Sequence, residues 1–227
     1  PPLVTTATRG MATAIESWAE RDLFWPIARY VSGVNAATVD PQLHVDRAML
    51  RGKRTPSMAR LAAVAQRNRG LVQAGIAVVE QMLAHGRPWL LAAAPSQADL
   101  AVYHGLWFLS AMPIDCAHEL ADCPATRAWM ARVAALGHGT RQEMSATAAL
   151  AIAAASEPAP LADSIADETL PALKSQVSIR PDDYVTEAVV GHLMQVDRDD
   201  VALLRHDDRL GPVMLHFPRV GYVIKEV

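Results

Sequence analysis

The stretch Pro95-Ser96-Gln97-Ala98-Asp99-Leu100-Ala101-Val102-Tyr103-His104-Gly105-Leu106-Trp107-Phe108-Leu109 decides the fold. Between Pro88 and Ile114, Asp99 is the only formally charged residue. It follows Ser96 at the spacing of a capping box, in which a Ser hydroxyl takes the N3 amide and an acid at N3 reaches back to the N-cap amide. Behind this start the residues are apolar all the way round. Leu100, Tyr103 and Trp107 form one stripe; Val102, Leu106 and Leu109 form another. Such a helix has no wet face and belongs in the middle of a bundle. It is too short for a bilayer, which needs about 20 apolar residues. The rest of the chain is therefore expected to wrap it.

Asp99 gains a structural task from this placement. A buried carboxylate is costly unless hydrogen-bonded, and the capping geometry with the positive end of the helix dipole supplies partners. General acid–base work would need a second titrating group, and none is close in sequence. Ser96 and Asp99 are thus capping residues.

Upstream, Met11, Ile15, Trp18, Asp22, Pro26 and Tyr30 define one helical line, with Ala14, Arg21, Trp25 and Arg29 on a neighbouring one. These predict a long helix from about Thr8 to Val31, bent at Pro26 and closed by Ser32-Gly33. Asp40-Pro41 opens a shorter helix through about Arg51. Another long helix is expected from Ser57 to Ala84, with Leu61, Val64, Leu71, Val72, Ile76, Val79 and Leu83 near a 3.6-residue period.

Downstream of the central stretch, a loop at Met112 to Asp115 leads to a short helical segment at Cys116 to Ala121. A helix carrying Trp129 follows from Pro124 to Leu136. An Ala-dominated helix is expected from Thr140 to Ala155. Glu157 to Lys174 reads as a linker or an arm packed along the bundle. Beyond it, Glu187 to Asp197, Val201 to His206, Val213 to Phe217 and Tyr222 to Ile224 are strand-like runs separated by turn chemistry. The chain is therefore expected to be mainly α: a helical domain over residues 1–155, a linker or arm over 156–175 and a small antiparallel β meander over 176–227. So few strands need a surface to lie on, and the bundle is the expected one.

Composition narrows the function classes. Hydrophobic residues make up 51% of the 227 and aromatics only 5%, so the core is built from Ala, Leu and Val. A net charge of −3 points to neither a nucleic-acid nor a membrane partner. Two cysteines, Cys116 and Cys123, are too few for a disulfide framework or a zinc site, which suits a reducing cytoplasm. No basic start followed by an apolar block marks a signal peptide. The opening Pro-Pro-Leu, without an initiating Met, reads as extended linker and as the downstream part of a longer protein.

Several chemistries find no motif. Gly52-Lys53-Arg54-Thr55 lacks the first Gly of a phosphate loop, Arg47 standing there, and no strand precedes it. The eight histidines include no His-x-x-x-His pair, and His118-Glu119 lacks the second His of a metalloprotease helix. No metal site is expected, and no nucleophile elbow or dinucleotide fingerprint occurs.

Arg87-Pro88-Trp89-Leu90 followed by Pro95-Ser96-Gln97-Ala98-Asp99-Leu100 resembles the C-terminal helical domain of cytosolic glutathione S-transferases. The order of elements over about Pro1 to Ala155 is similar too, including the long bent helix with Trp18 to Phe24. Where the family phrase has Gly-Asp before the proline, this chain has Ala93-Ala94. Leu215 to Arg219 with Gly221-Tyr222 looks like an extension carried by some bacterial members. The family's thioredoxin-like N-terminal domain, which supplies nearly all glutathione contacts and the residue that activates the thiol, has no counterpart here. By itself, this segment is expected to conjugate nothing.

What the resemblance implies for these residues is the site for a hydrophobic electrophile, between the first long helix and the thioredoxin-like domain. By position Arg21, Trp25 and Arg29 are candidates for substrate binding, with Tyr103 and Trp107 next. Trp25 serves equally as interdomain packing, the arginines as solvated charge, and Tyr103 and Trp107 as core. Arg47, Arg51, Lys53, Arg54, Arg60, Arg67 and Arg69 form a basic stretch without an acid. It is a solvated hairpin face or, as the family implies, part of a homodimer interface; nucleic acid comes last, since no aromatics are interleaved to stack bases. Two functions follow: the electrophile-site and dimerisation domain of a glutathione transferase-like enzyme, with glutathione as co-substrate, or a non-catalytic scaffold built on the same helices.

Overall fold

The computed structural model describes residues 3–182 and 186–227, so the Pro-Pro pair at the start lies outside the described residues. The chain divides into two compact bodies. One comprises the chain through His44 with Pro56–Thr140; the other comprises Val45–Thr55 with Arg141–Val227. The expectation of a mainly α chain holds for the first; the second contains a five-stranded antiparallel sheet.

The helical body opens with one long helical run in three parts: α1 (Arg9–Trp18), a π-helical turn (Ala19–Phe24) and α2 (Trp25–Val34). The wider turn directly precedes Pro26, whose missing amide would otherwise interrupt the ladder. It also carries Leu23, fully buried, into the space that Gly75 and Gly105 leave open. The run does not close at Ser32-Gly33 as expected. Gly33 stays helical because α2 crosses α4 there: a Cβ on Gly33 would lie 2.6 Å from both the Ala65 Cβ and the Leu61 carbonyl. The helix ends instead at Asn35, whose buried side chain donates to Val31 O and Ile114 O and accepts from the Ile114 amide. That residue ties the 112–115 loop to the end of α2.

Helix α3 (Pro41–Leu50) begins as expected, with Asp40 Oδ1 accepting the Gln42 amide. Helix α4 (Met58–Met82) is capped by Ser57, which accepts from Arg60 N. Its buried line is Ala65, Asn68, Val72, Ile76 and Val79, whereas Leu71 points to solvent. The chain then turns through left-handed His85 and Gly86.

Helix α5 (Gln97–Trp107) begins at Ser96 with the capping box formed. Ala98, Asp99, Val102, Gly105 and Leu106 are buried, and Leu109 continues the line in a 3-10 turn. The other stripe corrects the expectation of a helix with no wet face: Leu100 and Tyr103 are half-buried, His104 is exposed and Trp107 is 50% exposed. Apolar residues occupy both stripes, but only one is fully enclosed; Leu100 and Tyr103 pack at the edge of the core. A 3-10 turn (Ala117–Leu120) then precedes α6 (Pro124–Ala134), which buries Trp129 completely. Glu80 of α4 accepts the amides of Ala125 and Thr126 and the Thr126 hydroxyl, capping α6 from a neighbouring helix.

In the second body, α7 (Ala146–Ala154) starts six residues later than expected, because Ser145, accepting from Ala148 N, is the cap. The sheet has the order β4-β3-β2-β1-β5, with β1 (Gln176–Pro181), β2 (Val189–Val196), β3 (Asp200–Asp207), β4 (Gly211–Pro218) and β5 (Tyr222–Glu226). Strand β1 was not anticipated, and it changes the topology. Four strands meander, and the fifth returns to the free edge of β1, with Ile179 opposite Ile224. Only Arg219 to Gly221 link β4 to β5. Four extended steps reach ~14 Å, whereas the edges of a flat five-stranded sheet are ~19 Å apart. The sheet therefore rolls, and the Phe217 and Tyr222 rings meet at 5.4 Å. Val177, Ile179, Leu193, Val196, Val201 and Leu203 fill its inside. The segment before β1, read from the sequence as a linker or an arm, is bonded to this sheet: Ile165 N donates to Val196 O, Lys174 N donates to Leu193 O, and Arg219 pairs with Asp167.

Candidate functional site

The π turn and α5 together position a group of rings on the helical body. The turn sets Phe24 and Trp25 side by side, ring centroids 5.9 Å apart. Phe24 stacks on His104 at 5.1 Å and 23°, and meets Phe108 at 5.9 Å. His104 of α5 and Phe108, the first residue of the 3-10 turn that follows it, lie four residues apart on the same side. One turn along α2, the Arg29 guanidinium sits 5.8 Å from the Trp25 ring centroid, within cation–π range.

The candidates from the sequence thus fall into two places. Trp25 and Arg29 are together and half-buried or exposed, with Arg21 exposed on the π turn nearby in the chain. Tyr103 belongs elsewhere: its ring meets Trp129 edge-on at 6.3 Å, next to the capped head of α5. Helical spacing puts Trp107 between the Tyr103 row and the His104–Phe108 row. Phe24, His104 and Phe108 went unrecognised. The signal for them was the Phe24-Trp25 pair ahead of Pro26, set against aromatic residues at i and i+4 across the end of α5.

This group can offer flat, polarisable, half-exposed surface and a delocalised cation. It holds no nucleophile, and its one titratable ring, His104, is stacked rather than hydrogen-bonded in any described contact. Its chemistry is reception of an apolar or aromatic group.

The head of α5 is the second constellation. Asp99 is fully buried and accepts four donors: Ser96 N and Ser96 Oγ on Oδ2, at 2.9 and 2.7 Å, and Leu90 N and Trp129 Nε1 on Oδ1, both at 2.9 Å. Every lone-pair direction is used, so the group is a structural anchor.

Glu119 forms a third. Its side chain is 2% exposed and accepts from Tyr30 Oη at 2.8 Å, Arg69 Nε at 2.6 Å and Gln73 Nε2 at 3.0 Å, with His118 Nε2 3.2 Å away. Burial pushes its pKa up, but the Tyr30, Arg69 and Gln73 hydrogen bonds outweigh that and hold it below the usual carboxylate range. Burial and the same carboxylate push the Tyr30 phenol up. Arg69, expected on a solvated hairpin face or a dimer interface, keeps 53% of its side chain exposed while its Nε reaches this buried carboxylate. Burial also raises the Cys116 and Cys123 thiols, which are both free.

Among the described residues, no helix is long and apolar enough to cross a membrane. Residues 62–132, from α4 through most of α6, match the family model described as glutathione S-transferase, C-terminal domain. Across 100% of its length the chain is similar to a GST-like protein from Pseudomonas syringae, at 28% identity and a TM-score of 0.77, covering 71% of that protein's chain. A glutathione S-transferase from Xanthobacter autotrophicus Py2 is 27% identical, with a TM-score of 0.37 over 62% of this chain and 56% of that one. No curated protein matches. Residues 62–132 are thus similar to the C-terminal domain of glutathione S-transferases, and the whole length of the chain, sheet included, is similar to a GST-like protein.

Proposed function

We propose that the chain provides the electrophile-binding and dimer-forming part of a glutathione S-transferase-like enzyme of the cytoplasm, acting with a thioredoxin-like domain that holds glutathione. The reading rests on the Phe24–Trp25–His104–Phe108 group with Arg29 beside it, on helices at and next to the matched segment. Those rings receive a hydrophobic electrophile. The Arg29 and Arg21 guanidiniums favour negative charge that develops as a thiolate attacks. In this reading glutathione is held by the thioredoxin-like domain and the electrophile by these helices. Arg60 and Arg67 of α4 face a second copy.

The test is retention on immobilised glutathione of the protein made from the complete coding sequence, with elution by free glutathione. Retention, together with conjugation of an aromatic electrophile, is expected; a protein that passes through the resin and conjugates nothing contradicts the reading. In that event the second reading stands, a non-catalytic scaffold. It is favoured by the rolled sheet, which has its own apolar core outside the matched segment.

A further inference from the structure

On the helical body, sharing no residue with the ring group, a pocket of about 260 Å³ opens where the end of α4 meets α6. Leu83, Pro88, Ala125 and Ala128 give it an apolar floor, and Arg87 and Arg132 stand at its walls. Left-handed Gly86 turns the chain around it, and a Cβ there would meet nothing within 4 Å. Arg132 Nε donates to Pro88 O at 3.1 Å, which holds that guanidinium against the pocket while leaving its terminal amino groups. Among the described residues Arg87 has no hydrogen-bond or ion-pair partner. No acid lines the pocket, and Glu80, which touches Ala125, already accepts three donors from Ala125 and Thr126.

We propose that this pocket binds a small apolar carboxylate, a single ring or short branched chain bearing one carboxyl group, whose carboxylate is held by Arg87 and Arg132 above the Leu83–Ala125–Ala128 floor. Two guanidiniums lining one pocket without an acid select negative charge, and the planar fork of each matches a carboxylate. The floor demands an apolar body, and the volume, below the roughly 300–1,000 Å³ of pockets for larger ligands, restricts that body to about one ring. The site is independent of the ring group and of glutathione.

The probe is benzoate, titrated into the protein and followed through the amide resonances of Gly86, Ala125 and Ala128. Benzamide serves as the neutral isostere and inorganic phosphate as the bare anion. Saturable shifts with benzoate are expected, with benzamide and phosphate at least about 10-fold weaker. Arg87→Gln, at an exposed position, is expected to weaken benzoate at least about 10-fold without moving the melting temperature. Ala128→Leu, which fills the pocket, is expected to abolish binding. Absence of shifts, benzamide or phosphate binding as tightly as benzoate, or unaltered binding by Arg87→Gln overturns the proposal.

Discussion

Trp129 Nε1 donates to Asp99 Oδ1 at 2.9 Å, joining the middle of α6 to the head of α5 inside the protein. Neither side chain touches solvent: both are 0% exposed. The indole supplies volume to the core and a donor to the carboxylate at once, while Leu90 N brings the incoming loop to the same oxygen. Three separate segments therefore converge on one carboxyl group.

Trp129→Phe keeps most of the ring and deletes the donor. It is expected to cost about 1.5–3 kcal/mol, the range for a hydrogen bond to a charged group. Asp99→Ala leaves Trp129 Nε1, Leu90 N and Ser96 N without a partner and is expected to cost at least about 3 kcal/mol. Ser96→Ala is expected to cost about 1 kcal/mol. Urea unfolding gives all three, and the Asp99→Ala, Trp129→Phe pair should be strongly non-additive. Additive effects would mean that the two side chains act separately.

Glu119 sets an acid limit on stability. Its pKa is lower in the folded protein than in the unfolded chain, so the stability it contributes is present above the unfolded value and is lost as pH falls through the folded one. Tyr30 has the opposite sense: its pKa is raised, so its contribution is lost only at strongly alkaline pH. Glu119→Gln is expected to lower stability at pH 7 and flatten its decline below about pH 4. An unchanged acid limb would place the decisive carboxylates elsewhere.

Gly33→Ala forces a Cβ to within 2.6 Å of a carbonyl oxygen and a side-chain carbon of α4. Neither partner is a flexible tip, so the helices must separate. The expected cost is about 1–3 kcal/mol, measurable as a lowered urea midpoint. Gly10→Ala, with nothing within 4 Å, is the matched control and should be neutral or slightly stabilising.

His104→Ala removes the ring stacked on Phe24 from an exposed position. In the active protein it is expected to raise KM for aromatic electrophiles several-fold and to leave that for glutathione unchanged. A shift in glutathione KM alone would detach His104 from the electrophile.

How much of this could be read from the chain depended on range. The Ser96–Asp99 cap is a local rule and was legible, as was Asp40-Pro41. Asp99's bond to Trp129 spans 30 residues and leaves no local trace. Periodicity marked both stripes of α5 as apolar, yet only packing partners decide which one is buried; Trp107 and Leu71 were misplaced for that reason. Gly33 reads as a stop because glycine favours helix ends, whereas here it serves the close approach of α2 to α4. The π turn has no sequence signature beyond the proline after it. Strand β1 was missed because Val177 and Ile179, its two inward residues, sit in a short run beside a proline-rich arm. Within the site, helical spacing put Trp25 and Arg29 on one line, and only the family resemblance pointed to them as substrate-binding candidates. Phe24, His104 and Phe108 required knowing that the π turn faces α5.

The most direct measurement is the electrophile selectivity of the active protein with and without the Trp25 ring. Trp25→Ala is expected to change the ratio of kcat/KM between an aromatic and a small aliphatic electrophile by about 10-fold or more, on the scale of one lost apolar contact surface, with KM for glutathione unaltered. An unchanged ratio, with both electrophiles and glutathione affected alike, would contradict the assignment of this ring group as the electrophile site.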